Sequence, residues 1–301
     1  MFNKKVLIYI SVCTAVVLWG FSFIWTNSLL LKNFPVYSLV FFRMLIAAIV
    51  LSVISFSIRK IQKIAKKDRG WFILLVLLEP FIYFIGETFG LKIINSPTLG
   101  SIIISTIPIF ALVAGLLFYK EKISAINIFG ISITLPGILL VVFQNGGIDV
   151  SHYAGIILLF IAVFAAVGYS VVVKRLANTY NSYTIVTYQH ILGAIYFLPF
   201  FLYNDYSAFS ISSLTADIIM PLIYLAVLCS GVAFILFITA LKELGIARTN
   251  IFTALVPVVS AFGAYMIGHD TMNARKVAGI VIVVIGVIVA QRQKKPKALL
   301  K

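Results

Sequence analysis

Residues 153–173 read YAGIILLFIAVFAAVGYSVVV, and Lys174 and Arg175 follow at once. The run carries no charged side chain. At ~1.5 Å of rise per residue it is long enough, as a helix, to cross the ~30 Å hydrocarbon core of a bilayer. A strand of a membrane barrel alternates polar and apolar residues over ~10 positions. This run does not alternate, so its backbone polar groups must be satisfied within the segment, as in a helix.

Similar runs recur along the chain, at about 6–31, 35–58, 71–91, 97–119, 124–143, 183–203, 218–240, 246–268 and 273–291, which makes ten spans. The first is too long for the apolar region of a signal peptide and reads as a spanning helix. Composition agrees: of 301 residues 62% are hydrophobic and 11% charged, with a mean hydropathy of +1.10. Soluble domains carry about 25% charged residues. The predicted class is an all-α integral membrane protein. Cys13 and Cys229 each lie inside an apolar run and read as buried small residues rather than a disulfide or metal pair.

The net charge of +15 would suggest a nucleic-acid partner in a soluble protein. Here the cations sit in short clusters between spans, which excludes nucleic acid and fits the enrichment of cytoplasmic loops in Lys and Arg. With the N-terminus inside and ten spans, nineteen Lys and Arg fall inside. Lys32, Lys92, Arg275 and Lys276 fall outside, and Arg43 lies within a span. Both termini are expected in the cytoplasm, with the loops near Asp149 and Asp205 outside. The longest basic linker runs from Arg59 to Arg69 and holds six cations. Its isoleucines Ile58, Ile61 and Ile64 are three apart, which predicts a short amphipathic surface helix.

The chain also repeats itself at an offset of 149, which places Pro108 on Pro257, Gly130 on Gly279, Gly137 on Gly286 and Glu121 on Asp270. The two prolines fall in mid-span and predict helix kinks. Residues 1–146 form one five-helix repeat, and residues 147–301 form the other with a basic cytoplasmic tail. Five is odd, so the halves enter the membrane in opposite senses, an inverted repeat of the kind found in alternating-access transporters.

The residues that carry the resemblance follow in order: Trp19-Gly20; Arg43 in Phe-Phe-Arg-Met-Leu-Ile-Ala-Ala; Pro108 in Thr-Ile-Pro-Ile-Phe-Ala-Leu; Glu121 in Tyr-Lys-Glu-Lys; and Pro257 in Val-Pro-Val-Val-Ser. In this the chain resembles the drug/metabolite transporter superfamily, in its EamA-type branch. Asp270 departs from the Glu usual in such repeats, and Gln189 stands near the place corresponding to Arg43. The resemblance implies a central cavity lined by spans 1–4 and 6–9, with spans 5 and 10 as outer support. It also implies solutes ranging from amino acids and metabolites to drugs.

Ionisable groups inside spans are costly and face a cavity or a partner. Those in question are Arg43, Glu79, Glu87 and His190. At ~1.5 Å per residue, Arg43 lies about 12 Å from the outer end of its span, Glu87 about 6 Å and Glu79 about 18 Å. Glu79, Tyr83 and Glu87 are spaced by four and share a helix face. Pro80 removes a helical hydrogen bond beside Glu79. Arg43 is expected to pair with Glu87, either as a strut or as a substrate contact. Glu79 is then left for proton exchange or for a cationic group. Trp19 is either cavity wall or packing, and Ser101 and Asn250 either line the cavity or pack helices. Gln189 is a further cavity candidate. His190 is either a hydrogen-bonded interior residue or, with Glu79 and Glu87, a proton relay. Gly86 and Gly90 predict close helix packing within the monomer.

The expected function is transport of a small organic solute across the plasma membrane by alternating access, with proton-coupled export as one form. A solute channel and a membrane-embedded enzyme are the alternatives. His152, His190 and His269 are too scattered to form a metal site. No catalytic residue, metal or cofactor is expected. The expected partners are the solute and the bilayer, with monomer and homodimer both open.

Overall fold

A computed structural model describes residues 4–122, 124–142, 153–207, 209, 214–266 and 273–290. Among these residues all regular structure is helical. Seven stretches are long and apolar enough to cross a membrane: Lys4–Leu31, Val36–Ser57, Lys66–Ile94, Tyr153–Leu176, Ser182–Asp205, Ala216–Leu244 and Ile246–Met266. Three shorter apolar helices, Ile107–Tyr119, Ala125–Gly137 and Val277–Ala290, lie within the remaining runs.

The α-helical pieces are α1 (Lys4–Leu31), α2 (Val36–Ser57), α3 (Arg69–Val76), α4 (Tyr83–Ile94), α5 (Pro97–Ile104), α6 (Ile107–Tyr119) and α7 (Ala125–Val142). There follow α8 (Tyr153–Leu176), α9 (Ser182–Phe200), α10 (Ala216–Ile223), α11 (Ala233–Leu244), α12 (Ile246–Asn250), α13 (Val256–Met266) and α14 (Ala274–Ala290). The offset of 149 reappears in the element boundaries. It carries the first residue of α5 onto that of α12, of α6 onto α13 and of α7 onto α14. One irregularity also recurs, since the kink at Leu77–Ile82 falls at the same offset within the π-helical stretch Tyr224–Val232.

The breaks have local causes. Glu79 is extended (φ −146°, ψ 116°) and interrupts the third span. The residue before a proline is sterically pushed out of the α region, and the peptide bond to Pro80 is cis. The fourth span parts at Ser105 and Thr106, just before Pro108. The ninth tightens into a 3₁₀ segment, Ile251–Leu255, just before Pro257. A proline in the first turn sacrifices no helical hydrogen bond; Pro108 thus starts a new helix after the turn at Ser105 and Thr106, whereas Pro257 follows a 3₁₀ stretch inside the continuous span Ile246–Met266.

α7 and α14 pack against each other as an outer pair. A Cβ at Gly137 would stand 2.9 Å from the carbonyl of Gly279, and one at Gly286 would stand 2.9 Å from that of Gly130. α4 lies equally close to α8, where a Cβ at Gly90 would meet the Gly155 carbonyl at 3.0 Å. Such approach is the means by which helices associate where no hydrophobic effect drives them together. The outward face of α14 is apolar, with Val277, Val281, Ile285 and Ile288 exposed, whereas Ser, Thr, Asn, Gln, Arg and Glu side chains are buried between helices. An apolar exterior around a polar interior suits lipid rather than water.

Two expectations need correction. Cys13 is exposed on α1, and only Cys229 is buried. The linker at 59–69 is not an amphipathic helix. It has no regular structure from Lys60 to Ala65 and a single 3₁₀ turn at Lys66–Asp68, because side chains of the α8–α9 turn and the start of α9 take its backbone hydrogen bonds. The expected boundary at Asn145–Asp149, together with Asp270, His152, His269 and the basic tail beyond residue 290, lies outside the described residues.

Candidate functional site

The helix break at Glu79 turns its carboxyl toward the middle of the bundle. There it faces a cavity of about 50 Å³ shared with Trp19, Arg43, Tyr83, Glu87 and Asn250. Six of the expected site residues thus meet at one place. Arg43, Glu79 and Glu87 are 2%, 6% and 4% exposed.

Arg43 is held from the opposite repeat. Its Nε donates to Ser230 Oγ at 2.7 Å, and the guanidinium carbon lies 4.2 Å from the centroid of Phe84. The expected ion pair with Glu87 is not formed. Among the described residues the salt bridges are Lys4–Glu243 and Lys32–Asp217, so no carboxylate lies within 4.0 Å of Arg43. Similar depth in the membrane did not translate into contact, because a serine hydroxyl and an aromatic face occupy the positions beside the guanidinium. Its two terminal nitrogens make no hydrogen bond to the described residues. Glu87 Oε1 accepts a long bond from Tyr83 at 3.4 Å, and its Oε2 has no partner. Glu79 makes no hydrogen bond to the described protein.

Around these charges stand neutral groups already committed to each other. Tyr169 donates to Gln189 Oε1 at 2.9 Å. Asn250 Nδ2 donates to Ser170 Oγ at 3.1 Å and to the Ile246 carbonyl at 2.9 Å. Trp19 Nε1 donates to the Cys229 carbonyl at 3.1 Å, and its ring packs on Phe234 and Phe237. Trp19 is therefore both a wall and a packing residue. Three expected residues do not line the cavity. Ser101 is buried on α5, Gln189 stands one hydrogen bond behind Tyr169, and the His190 ring bonds the Val186 carbonyl at 2.8 Å. Sequence reasoning missed Tyr169, Ser170 and Ser230. A signal existed for the first two, since they are an adjacent polar pair toward the C-terminal end of the otherwise apolar run 153–173.

Carboxylates also tie the repeats together at the two ends of the bundle. At the end that holds Lys120 and Lys122, Glu121 accepts from the backbone nitrogens of Ile246 and Ala247 at 2.7 and 3.0 Å. The chain enters that contact through Gly245, at φ +90°, where a side chain would be strained and would strike Glu121. A cleft of about 340 Å³ lies beside it. At the other end Asp205 accepts from the backbone nitrogen and hydroxyl of Ser38 at 2.6 and 3.0 Å. With both ends tied, the central cavity has room for water but not for an organic solute, whose pockets measure roughly 300–1,000 Å³. Among the described residues no group of three or more His, Cys, Asp or Glu could hold a metal ion.

The profile of the EamA-like transporter family matches residues 6–143 and 153–291, once for each half. The chain belongs to the EamA-like transporter family. Its relatives include a Bacillus subtilis (strain 168) protein named uncharacterized transporter YetK, 26% identical over 299 residues, covering 97% of this chain and 89% of the relative. An uncharacterized transporter of Archaeoglobus fulgidus is 25% identical over 235 residues, 77% of this chain and 81% of that one. A solved crystal structure superposes with a TM-score of 0.78 at 15% identity over 94% of this chain and 95% of its own, a likeness of fold. This EamA-like transporter is accordingly a multi-pass membrane protein built of two repeats.

Proposed function

We propose that this EamA-like transporter carries a small organic solute, a metabolite, amino acid or drug-like molecule, across the plasma membrane through the central cavity by alternating access. In this reading ten spans form two inverted halves with both termini in the cytoplasm. One observation carries it: a guanidinium with free terminal nitrogens and two carboxylates without ion-pair partners share one contracted cavity between the repeats. Charges left unpaired in low dielectric are costly. Their presence is accounted for if a solute or a proton completes the site during the cycle. Glu79 and Glu87 are the groups proposed to take up and release the coupled proton, and Glu79 alternatively to meet a cationic group of the solute. His190 is a weaker candidate because its ring lies outside the cavity.

The test is uptake into proteoliposomes of solutes first selected by thermal shift of the purified protein. The reading requires saturable flux that responds to an imposed proton gradient and solute counterflow between the two sides. Flux that rises linearly with concentration and shows no counterflow would make the protein a channel. Labelling of single cysteines from each side tests the orientation. A cysteine at Asn145 that reacts only from the cytoplasm would overturn the inverted arrangement.

A further inference from the structure

The segment from Arg59 to Arg69 is the densest concentration of charge on the described surface. Arg59, Lys60, Lys63, Lys66, Lys67 and Arg69 are all exposed, and none forms a salt bridge among the described residues. The one acid within the segment, Asp68, accepts a hydrogen bond from Tyr180 at 2.9 Å. Six like charges on a free loop would repel one another and spread. Here they are held in place. The backbone nitrogens of Gln62 and Ala65 donate to Thr184 Oγ1 and Tyr180 Oη, each at 3.0 Å. Asn181 donates through its backbone to Gln62 Oε1 at 2.7 Å and through its side chain to the Lys60 carbonyl at 2.8 Å. Ile61 and Ile64 are half-buried, with Ile64 packed on the core, while the cations stay outside.

The level of this strap in the bilayer follows from its neighbours. Ile54, Phe56 and Ile58 are exposed immediately before it, and Ile73 and Leu74 soon after. The lipid-facing apolar band therefore ends on both sides of the strap within a few residues. Trp71, at the start of α3, has the Arg175 guanidinium 4.2 Å over its ring, and tryptophan concentrates at the headgroup level of membranes. Arg175 thus joins the strap's cations at the same edge.

We propose that the Arg59–Arg69 strap is a preorganised binding surface for the phosphate headgroups of anionic phospholipids. A flexible basic tail would be ordered only on binding. This strap is already fixed by the α8–α9 turn, so it meets a layer of phosphates without that ordering cost. Because the strap belongs to the first repeat and the turn to the second, headgroups that neutralise its mutual repulsion also hold the two repeats together.

The full chain, reconstituted in nanodiscs of phosphatidylcholine alone or with phosphatidylglycerol, tests this. The anionic lipid should raise the melting temperature by several degrees at low salt. The gain should vanish near 1 M salt, where the screening length falls to about 3 Å. A variant carrying K63Q, K66Q and K67Q should melt no lower than the wild type in neutral lipid and show no further gain in anionic lipid. A control carrying K120Q, K122Q and K242Q should keep the gain. Equal responses of the two variants would overturn the proposal, as would a gain reproduced by inorganic phosphate in neutral nanodiscs. Should the strap variant be unstable, native mass spectrometry of the wild type decides: phosphatidylglycerol should survive on the protein in preference to phosphatidylcholine, and equal retention overturns the assignment.

Discussion

The two repeats share a backbone and divide the chemistry. The last three helices of each start at matching positions, and the kink at Leu77–Ile82 falls on the π-helical stretch Tyr224–Val232. Yet every charge in the central cavity, Arg43, Glu79 and Glu87, comes from the first repeat. The second supplies Tyr169, Ser170, Asn250 and Thr253, with Ser230 bonded to Arg43 from across the interface. Packing constrains both halves alike, because helices in lipid approach only where small residues allow it. Buried charge is expensive, so one set is kept, and the other half contributes neutral groups that fix it in place.

Removing the cation tests this division most severely. Arg43→Leu should lower stability by about 3 kcal/mol, because it breaks the charged hydrogen bond to Ser230 and leaves two unpaired buried carboxylates with no positive charge in their cavity. Thermal unfolding in detergent reads this directly. A normal melting temperature would mean that the two carboxylates do not depend on Arg43 for balance.

Ser230→Ala addresses the neutral half's hold on the charged half. A hydrogen bond to a charged group contributes roughly 1.5–3 kcal/mol, and a melting shift of that order is expected. A double-mutant cycle with Arg43→Lys, which lacks the Nε donor, should show strong coupling. Additive effects would place the two side chains in separate roles. Gln189→Leu should cost less, about 1 kcal/mol. It orphans the Tyr169 hydroxyl but also removes an amide nitrogen that has no partner. Adding Tyr169→Phe should return most of the loss. If Gln189→Leu instead abolished transport in a well-folded protein, the second repeat would carry solute chemistry and the division would fail.

Much of this architecture was legible in the sequence because it follows from periodic or paired features. Apolar runs fix the spans, and the offset of 149 fixes the correspondence between halves. Costly residues such as Arg43, Glu79 and Glu87 announce an interior site. What could not be read depends on direction around a helix axis. Arg43 and Glu87 lie at compatible depths, but depth does not say that Ser230 and Phe84 stand beside the guanidinium. Serines and threonines are scattered through the spans as packing residues, so nothing in its own stretch singles out Ser230. The isoleucines spaced by three in the linker do fit a helix. The hydrogen bonds that prevent one come from Tyr180, Asn181 and Thr184, more than a hundred residues away.

The smallest change in stability and the most informative change in function should come from Glu79→Gln. The side chain has no hydrogen bond among the described residues to lose, and the amide matches the carboxyl in shape. An unpaired carboxylate in low dielectric is costly when ionised, so the melting temperature should stay where it is or rise slightly at neutral pH. Transport should respond quite differently. If Glu79 takes up and releases a proton in each cycle, the variant should still show solute counterflow, which needs no net proton movement. Its uptake should no longer respond to an imposed pH gradient. Glu87→Gln separates the two acids, because Glu87 has Tyr83 as a neighbour and Glu79 has no such partner. A proton site at Glu79 alone predicts that the Glu87 variant keeps its gradient response. Should Glu79→Gln retain the full pH profile while melting at a lower temperature, the helix break at Glu79 would be structural, and the first repeat would hold its charges for the solute alone.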